Sequence, residues 1–140
     1  MKNLPHPSQR VALITGANTG IGRVTARELA LQGVQVFVAC RSLERTQALL
    51  DEVRAARPDA RIEWIELDLA DLNSIRQCAQ AFLSKGLPLH LLINNAGLAA
   101  AKGLTPAGFE QTFGVNHADP PVRMRVRSAP PVCGPFPRGS

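Results

Sequence analysis

Thr15 to Gly22 reads TGANTGIG, three glycines at the spacing G-x-x-x-G-x-G directly after a short apolar run. Such a loop suits phosphate chemistry. Glycines let the backbone turn sharply and approach a pyrophosphate, and a following helix offers unpaired N–H groups and the positive end of its dipole. The spacing differs from the G-x-G-x-x-G of the usual dinucleotide fingerprint, but the physics is shared. About 20 residues further on, where a carboxylate would hold the 2′-hydroxyl of NAD, stand Cys40 and Arg41. A neutral thiol followed by a guanidinium suits a 2′-phosphate, since Arg pairs with phosphate bidentately. This predicts NADP(H) in preference to NAD(H), with Arg23, just past the last Gly, adding positive potential. Cys40, Cys78 and Cys133 are widely spaced, with no C-x-x-C pair, so neither a zinc site nor a disulfide framework is expected. His6 falls in the disordered start, His90 reads as a strand residue and His117 has no second ligand in the sequence, so no metal is predicted.

These residues need elements to hold them. RVALIT is a short buried strand before the Gly loop, and IGRVTARELALQ a helix after it, with Ile21, Val24, Leu29 and Ala30 as core-facing candidates and Gly33 at its end. VQVFVAC is a second strand. Ser42 caps the helix LERTQALLDEVRAA, which Pro58 stops. RIEWIEL alternates like an edge strand. Asp71 caps LNSIRQCAQAFL, where Leu72, Ile75, Ala79 and Phe82 share a face, and LHLLIN is the fourth strand. The order β-α-β-α-β-α-β predicts an α/β fold, a Rossmann-like doubly wound parallel sheet of which only the first half is present.

The 140 residues, 45% of them hydrophobic, suffice for one core. The net charge of +5 divides unevenly. Residues 1–117 hold 12 Lys and Arg against 10 Asp and Glu, whereas 118–140 hold four Arg against one Asp. Six of the eleven prolines also fall in 118–140, which excludes a continuing helix or central strand there. The expected organisation is a flexible start at 1–9, a cofactor-binding Rossmann half at 10–117 and an irregular Pro/Arg-rich tail at 118–140. RMRVRSAPP in that tail could neutralise phosphates but has no interleaved aromatic, so nucleic acid is not expected as a partner. No apolar run is long enough to span a membrane, and MKNLPHPSQR lacks the apolar region of a signal peptide. A cytoplasmic chain with reduced thiols and no membrane anchor is the expectation.

With TGANTGIG at 15–22, ACR at 39–41, NNAG at 94–97, FGVNH at 113–117 and Asp68 within LDL, the chain resembles the short-chain dehydrogenase/reductase family. Within it, the resemblance is to retinol-dehydrogenase-like members that use NADP. The matches run in order over residues 10–117. The resemblance implies that Gly16, Asn18, Thr19, Gly20, Ile21 and Gly22 form the ribose-pyrophosphate loop. It implies that Asp68 and Leu69 edge the adenine, and that Asn95, Ala96 and Gly97 line the cofactor groove. Asn94 and Asn95 could equally tie neighbouring strands, and both uses are expected. The family's sheet order implies 3-2-1-4 for the four strands here.

Asn116 matches the Asn of the family's Asn-Ser-Tyr-Lys catalytic set. Beyond it the sequence leaves the family pattern: Pro120 and Pro121 would break the long helix that normally follows, and no Tyr-x-x-x-Lys occurs. The chain contains no Tyr, and no Lys after Asn116. The family chemistry needs a phenol whose pKa is lowered by a nearby Lys to exchange a proton with the substrate oxygen. The expectation is a truncated or frame-shifted oxidoreductase that binds a nicotinamide dinucleotide without turnover on an alcohol or carbonyl. The alternative is a non-catalytic cofactor-binding or regulatory module that pairs with a full-length relative through the fourth strand. Left as an open apolar edge, that strand would also make the isolated chain poorly soluble.

Overall fold

A computed structural model describes residues 5–97 of the chain. Asn116, His117, Cys133 and the tail 118–140, with the expectations attached to them, lie outside the described residues. Four parallel strands, β1 (Val11–Thr15), β2 (Gln35–Cys40), β3 (Ile62–Glu66) and β4 (Leu91–Ile93), alternate with helices α1 (Gly20–Leu31), α2 (Leu43–Ala56) and α3 (Leu72–Leu83). The sheet order is β3-β2-β1-β4, as expected for the first half of a doubly wound fold. Residues 5–9, expected to be a flexible start, contain a 3₁₀ turn over Pro7–Gln9, and the Arg61 guanidinium donates to the carbonyl of Ser8 within it.

The continuous apolar runs of β1 and β2 follow from burial on both sheet faces. Ala12, Ile14, Val36 and Val38 face α1 and α2, where Ala26, Leu49 and Val53 complete one core. Val11, Leu13, Phe37 and Ala39 face the opposite way and pack with Ile75, Cys78 and Phe82 of α3. Phe37 and Phe82 meet edge to face with centroids 5.4 Å apart, a geometry favoured by the ring quadrupoles. Burial pushes the Cys78 thiol up to about 11, so it packs as a small neutral group. Its contribution to stability holds below the ordinary thiol range and falls away as pH climbs toward 11.

Helix starts follow the sequence closely. Ser42 Oγ accepts from the Arg45 N–H, and Asp71 accepts from the Asn73 N–H. One expected face is corrected. Ile21 and Val24 are not in the core: they are 81% and 59% exposed. Gly22, Ala26 and Ala30, four apart, form the buried stripe instead. Small side chains bring α1 close to the sheet and leave Ile21 and Val24 outside the contact, while Leu29 and Leu31 pack at its margin.

Among the described residues no helix is long and apolar enough to cross a membrane. The α1 face predicts that Ala26→Leu, which overfills a tight contact, costs about 1–3 kcal/mol. Val24→Gln should stay within about 0.5 kcal/mol of the parent chain. Urea unfolding followed by circular dichroism checks both, and the reverse ordering would contradict this packing.

Candidate cofactor site

The carboxyl ends of β1, β2 and β3 and the turn after β4 open into one cavity of about 760 Å³. Such a location collects ligands in open parallel sheets. On one side lie Gly16, Asn18 and Thr19 of the glycine loop, and on another Asp68 and Leu69 after β3. Asn95, Ala96 and Gly97 close the floor, and Arg41 stands at the end of β2. Gly20, Ile21 and Gly22 are not part of the cavity wall. Gly20 begins α1 at a φ of +57° with open space around it, and Gly22 is buried beneath the loop.

The floor is pinned by the residues that line it. Asn95 Nδ2 donates to the carbonyls of Thr15 at 3.2 Å and Gly16 at 3.1 Å. Thr15 Oγ1 in turn accepts from the Ala96 N–H at 3.0 Å. The closeness of this contact explains two glycines. A Cβ on Gly22 would lie 2.2 Å from Asn95 Nδ2, and one on Gly16 would lie 2.7 Å from Ala96 Cα. Gly16 also has a φ of +63°, strained for any L side chain. Asn95 therefore has the structural use that its sequence position allowed, while Asn94 is exposed.

Among the described residues, the N-termini of α1, α2 and α3 differ. Those of α2 and α3 are capped by the Ser42 and Asp71 side chains, and Glu44 lies in the first turn of α2. At α1 the N-cap Thr19 makes no side-chain cap bond, and no acidic residue stands in the first turn. An uncapped helix start facing a cavity is suited to an anion. Asp68 is shaped by its own loop: Oδ1 accepts from the Ala70 N–H at 2.9 Å, and its N–H donates to Ser74 Oγ at 2.8 Å.

Two charged residues depart from the sequence expectation. Arg23 does not add its charge to the cavity; it is paired with Glu52 of α2 at 2.6 Å, beside Arg27 on the same carboxylate. Both guanidiniums hold Glu52 below the usual carboxylate range. Conversely, Glu44 and Arg45 line the cavity without having been singled out. Their signal was available, since they lie in the first turn of the helix that Arg41 and Ser42 introduce. Cys40 is buried at the wall with Sγ 2.9 Å from Thr46 Oγ1, and Cys40 and Cys78 are free thiols. Among the described residues no cluster of potential metal ligands occurs.

Gly20→Ala should cost about 1 kcal/mol, from backbone strain alone. Gly22→Ala should cost about 2–4 kcal/mol, because it displaces Asn95 from two carbonyls as well as crowding the turn. Combining Gly22→Ala with Asn95→Ala removes the clash partner. Denaturation of the double variant should therefore show a coupling of about 1 kcal/mol or more.

Comparison with known proteins agrees with this geometry. The short chain dehydrogenase family model matches residues 10–123. Retinol dehydrogenase 12 of Mus musculus is 47% identical over 109 residues, covering 77% of this chain and 34% of its own length. The polyprenol dehydrogenase of Mus musculus is 46% identical over 114 residues, covering 81% of this chain and 34% of its own length. The chain thus spans about a third of the length of the curated relatives it matches. Among solved structures, a metagenomic short-chain oxidoreductase in complex with NADP superimposes with a TM-score of 0.71 at 30% identity, over 84% of this chain and 54% of that one. An uncharacterised protein of Mycobacterium paratuberculosis gives 0.65 at 43% identity, over 82% and 40%. The chain belongs to the short chain dehydrogenase family and carries the amino-terminal, nicotinamide-cofactor-binding region of that oxidoreductase fold.

Proposed function

We propose that the chain binds NADP(H) in preference to NAD(H), and that the 140 residues alone do so without turnover. One observation carries the reading: a single cavity is bounded by the uncapped start of α1 and by Arg41 at the end of β2. A dinucleotide laid across it would place its pyrophosphate on the α1 N–H groups and its 2′-phosphate on the guanidinium. Gly16, Asn18, Thr19, Gly20, Ile21 and Gly22 would form the pyrophosphate turn. Asp68 and Leu69 would border the adenine, and Asn95, Ala96 and Gly97 would hold the groove open. The NADP carried by the metagenomic oxidoreductase supports the choice of cofactor.

When bound, the nicotinamide supplies or accepts a hydride. The chain's own residues orient it, and proton exchange with an alcohol or carbonyl needs a group the 140 residues do not contain, for they include no Tyr. Asn116 is the one residue matching the catalytic set. The names of the relatives, a retinol and a polyprenol dehydrogenase, support an apolar alcohol or carbonyl as the substrate class of the whole enzyme. Among the described residues, the free Cys40 and Cys78 thiols support a reducing, cytoplasmic setting as part of the same reading.

A second reading rests on β4. It forms the outer strand of the sheet among the described residues, and Leu91 is 42% exposed there. A module of this kind would pair through that edge with a full-length relative. Co-elution of the two proteins, lost on introducing Leu92→Pro, is the expected outcome of that reading.

For the main reading, titration of the purified chain should show tighter binding of NADPH than of NADH. Arg41→Ala should weaken NADPH by about tenfold or more and leave NADH nearly unchanged. Equal affinity for the two cofactors would overturn it. So would NADPH-dependent reduction of an aldehyde or ketone by the 140-residue chain, as regards turnover.

A further inference from the structure

Trp64 is the one tryptophan of the 140 residues, and it stands outside the cavity wall. It lies on β3 opposite Val38 of β2, half-buried against the core that β1 and β2 form with α1 and α2. Its indole N–H donates to the carbonyl of Cys40, the last residue of β2, at 3.1 Å. The same oxygen accepts from the Leu67 N–H, also at 3.1 Å.

The bond from Leu67 already satisfies the Cys40 carbonyl, so the indole is not needed to avoid an unpaired oxygen. A second donor has a different effect. It takes the other lone pair, and two donors arriving from separate points on β3 fix the plane of the Cys40–Arg41 peptide, where one would let it rock. The far side of the turn is held independently, since Thr46 Oγ1 donates to the Ser42 carbonyl at 2.8 Å. Arg41 sits between these two pinned carbonyls, exposed, and its guanidinium bonds to no described residue. A long side chain without a bond of its own is aimed by the peptide it leaves, within the rotamers open to it.

We infer that Trp64 is a positioning residue: by holding the Cys40 carbonyl it sets the direction in which Arg41 leaves β2, and so tunes the preference for a 2′-phosphorylated dinucleotide from outside the cavity. This rests on the NADP(H) reading above and goes beyond it. The constraint is orientational, because a guanidinium meets phosphate through a planar fork whose bonds weaken steeply with misalignment.

The test is calorimetric titration of the full chain with NADPH, NADH, 2′-AMP and 5′-AMP. Trp64→Phe keeps an aromatic ring and removes the donor. It should weaken NADPH and 2′-AMP by about fivefold and change NADH and 5′-AMP by no more than about twofold. Should that variant unfold by circular dichroism, a tryptophan analogue with sulfur in place of the ring N–H removes the same donor at similar size. It enters at one position, because the chain has one Trp. In an Arg41→Ala background, Trp64→Phe should weaken NADPH no further, the signature of a residue that acts through another. Phe82→Leu loosens the core on the opposite sheet face and should lower the thermal midpoint while leaving the NADPH-to-NADH ratio unchanged. A preference for NADPH kept in both donor-less forms would overturn the role of Trp64 and leave the NADP(H) reading standing. Losses that add in the double variant, equal weakening of both cofactors, or a ratio that also falls in Phe82→Leu would likewise overturn it. A parent chain that binds neither cofactor, or both equally, would overturn both.

Discussion

Asn95 Nδ2 reaches two carbonyls, Thr15 and Gly16, from the far side of a strand boundary. β1 and β4 are parallel neighbours, so their carboxyl ends diverge into turns that have no ladder to hold them together. The amide supplies that hold, and the Thr15 hydroxyl accepting from Ala96 completes it. The wall of the cavity depends on this contact, because it sets how far the glycine loop stands from the turn after β4. Buried polar groups gain little net energy from bonding but lose a full desolvation cost when left unpaired. The pin is therefore most consequential when it is broken.

This constraint reaches into α1. Gly22 has to lack a Cβ because Asn95 occupies that space, and Ala26 and Ala30 continue the same small stripe along the sheet. A helix seated this low turns Ile21 and Val24 outward. Its N-terminus, with no side-chain cap, is left over the cavity, whereas α2 and α3 cap theirs with Ser42 and Asp71. Glycine in TGANTGIG thus serves two physical ends. Gly16 and Gly22 allow close packing, and Gly20 gives a positive φ in open space where a ligand could approach.

Much of this was legible in the sequence. The alternation of strands and helices and the Ser42 and Asp71 caps follow from local patterns whose physics is short-ranged, whereas the strand order 3-2-1-4 was implied by the family resemblance. The cavity also brings together Gly16, Asn18, Thr19, Arg41, Asp68, Leu69 and the 95–97 turn, residues far apart in the chain, because parallel strands put their carboxyl ends on one edge. The misses are contacts between elements. Helical periodicity favours large apolar residues as the buried face, and so it selected Ile21 and Val24 alongside Leu29 and Ala30 and passed over Gly22 and Ala26. Arg23 looked close to the loop along the chain, yet Glu52 of α2, 29 residues away, neutralises it. Which cation pairs with a carboxylate and which stays available is decided by the packing of α1 on α2, which no single element encodes.

Cofactor binding and proton transfer are physically separable in such an architecture. Among the described residues the cavity wall comes from the four strand ends, the turns that follow them and the first turn of α2, and the pins that shape it are bonds of the turns after β1 and β4. A phenol poised by an ammonium takes no part in holding that shape. Its role is to exchange a proton at a substrate oxygen, and that oxygen must lie beyond the nicotinamide rather than beside the phosphates. The cavity wall, with Arg41 at the end of β2 and Asp68 after β3, is thus built without any residue of that proton-exchanging kind.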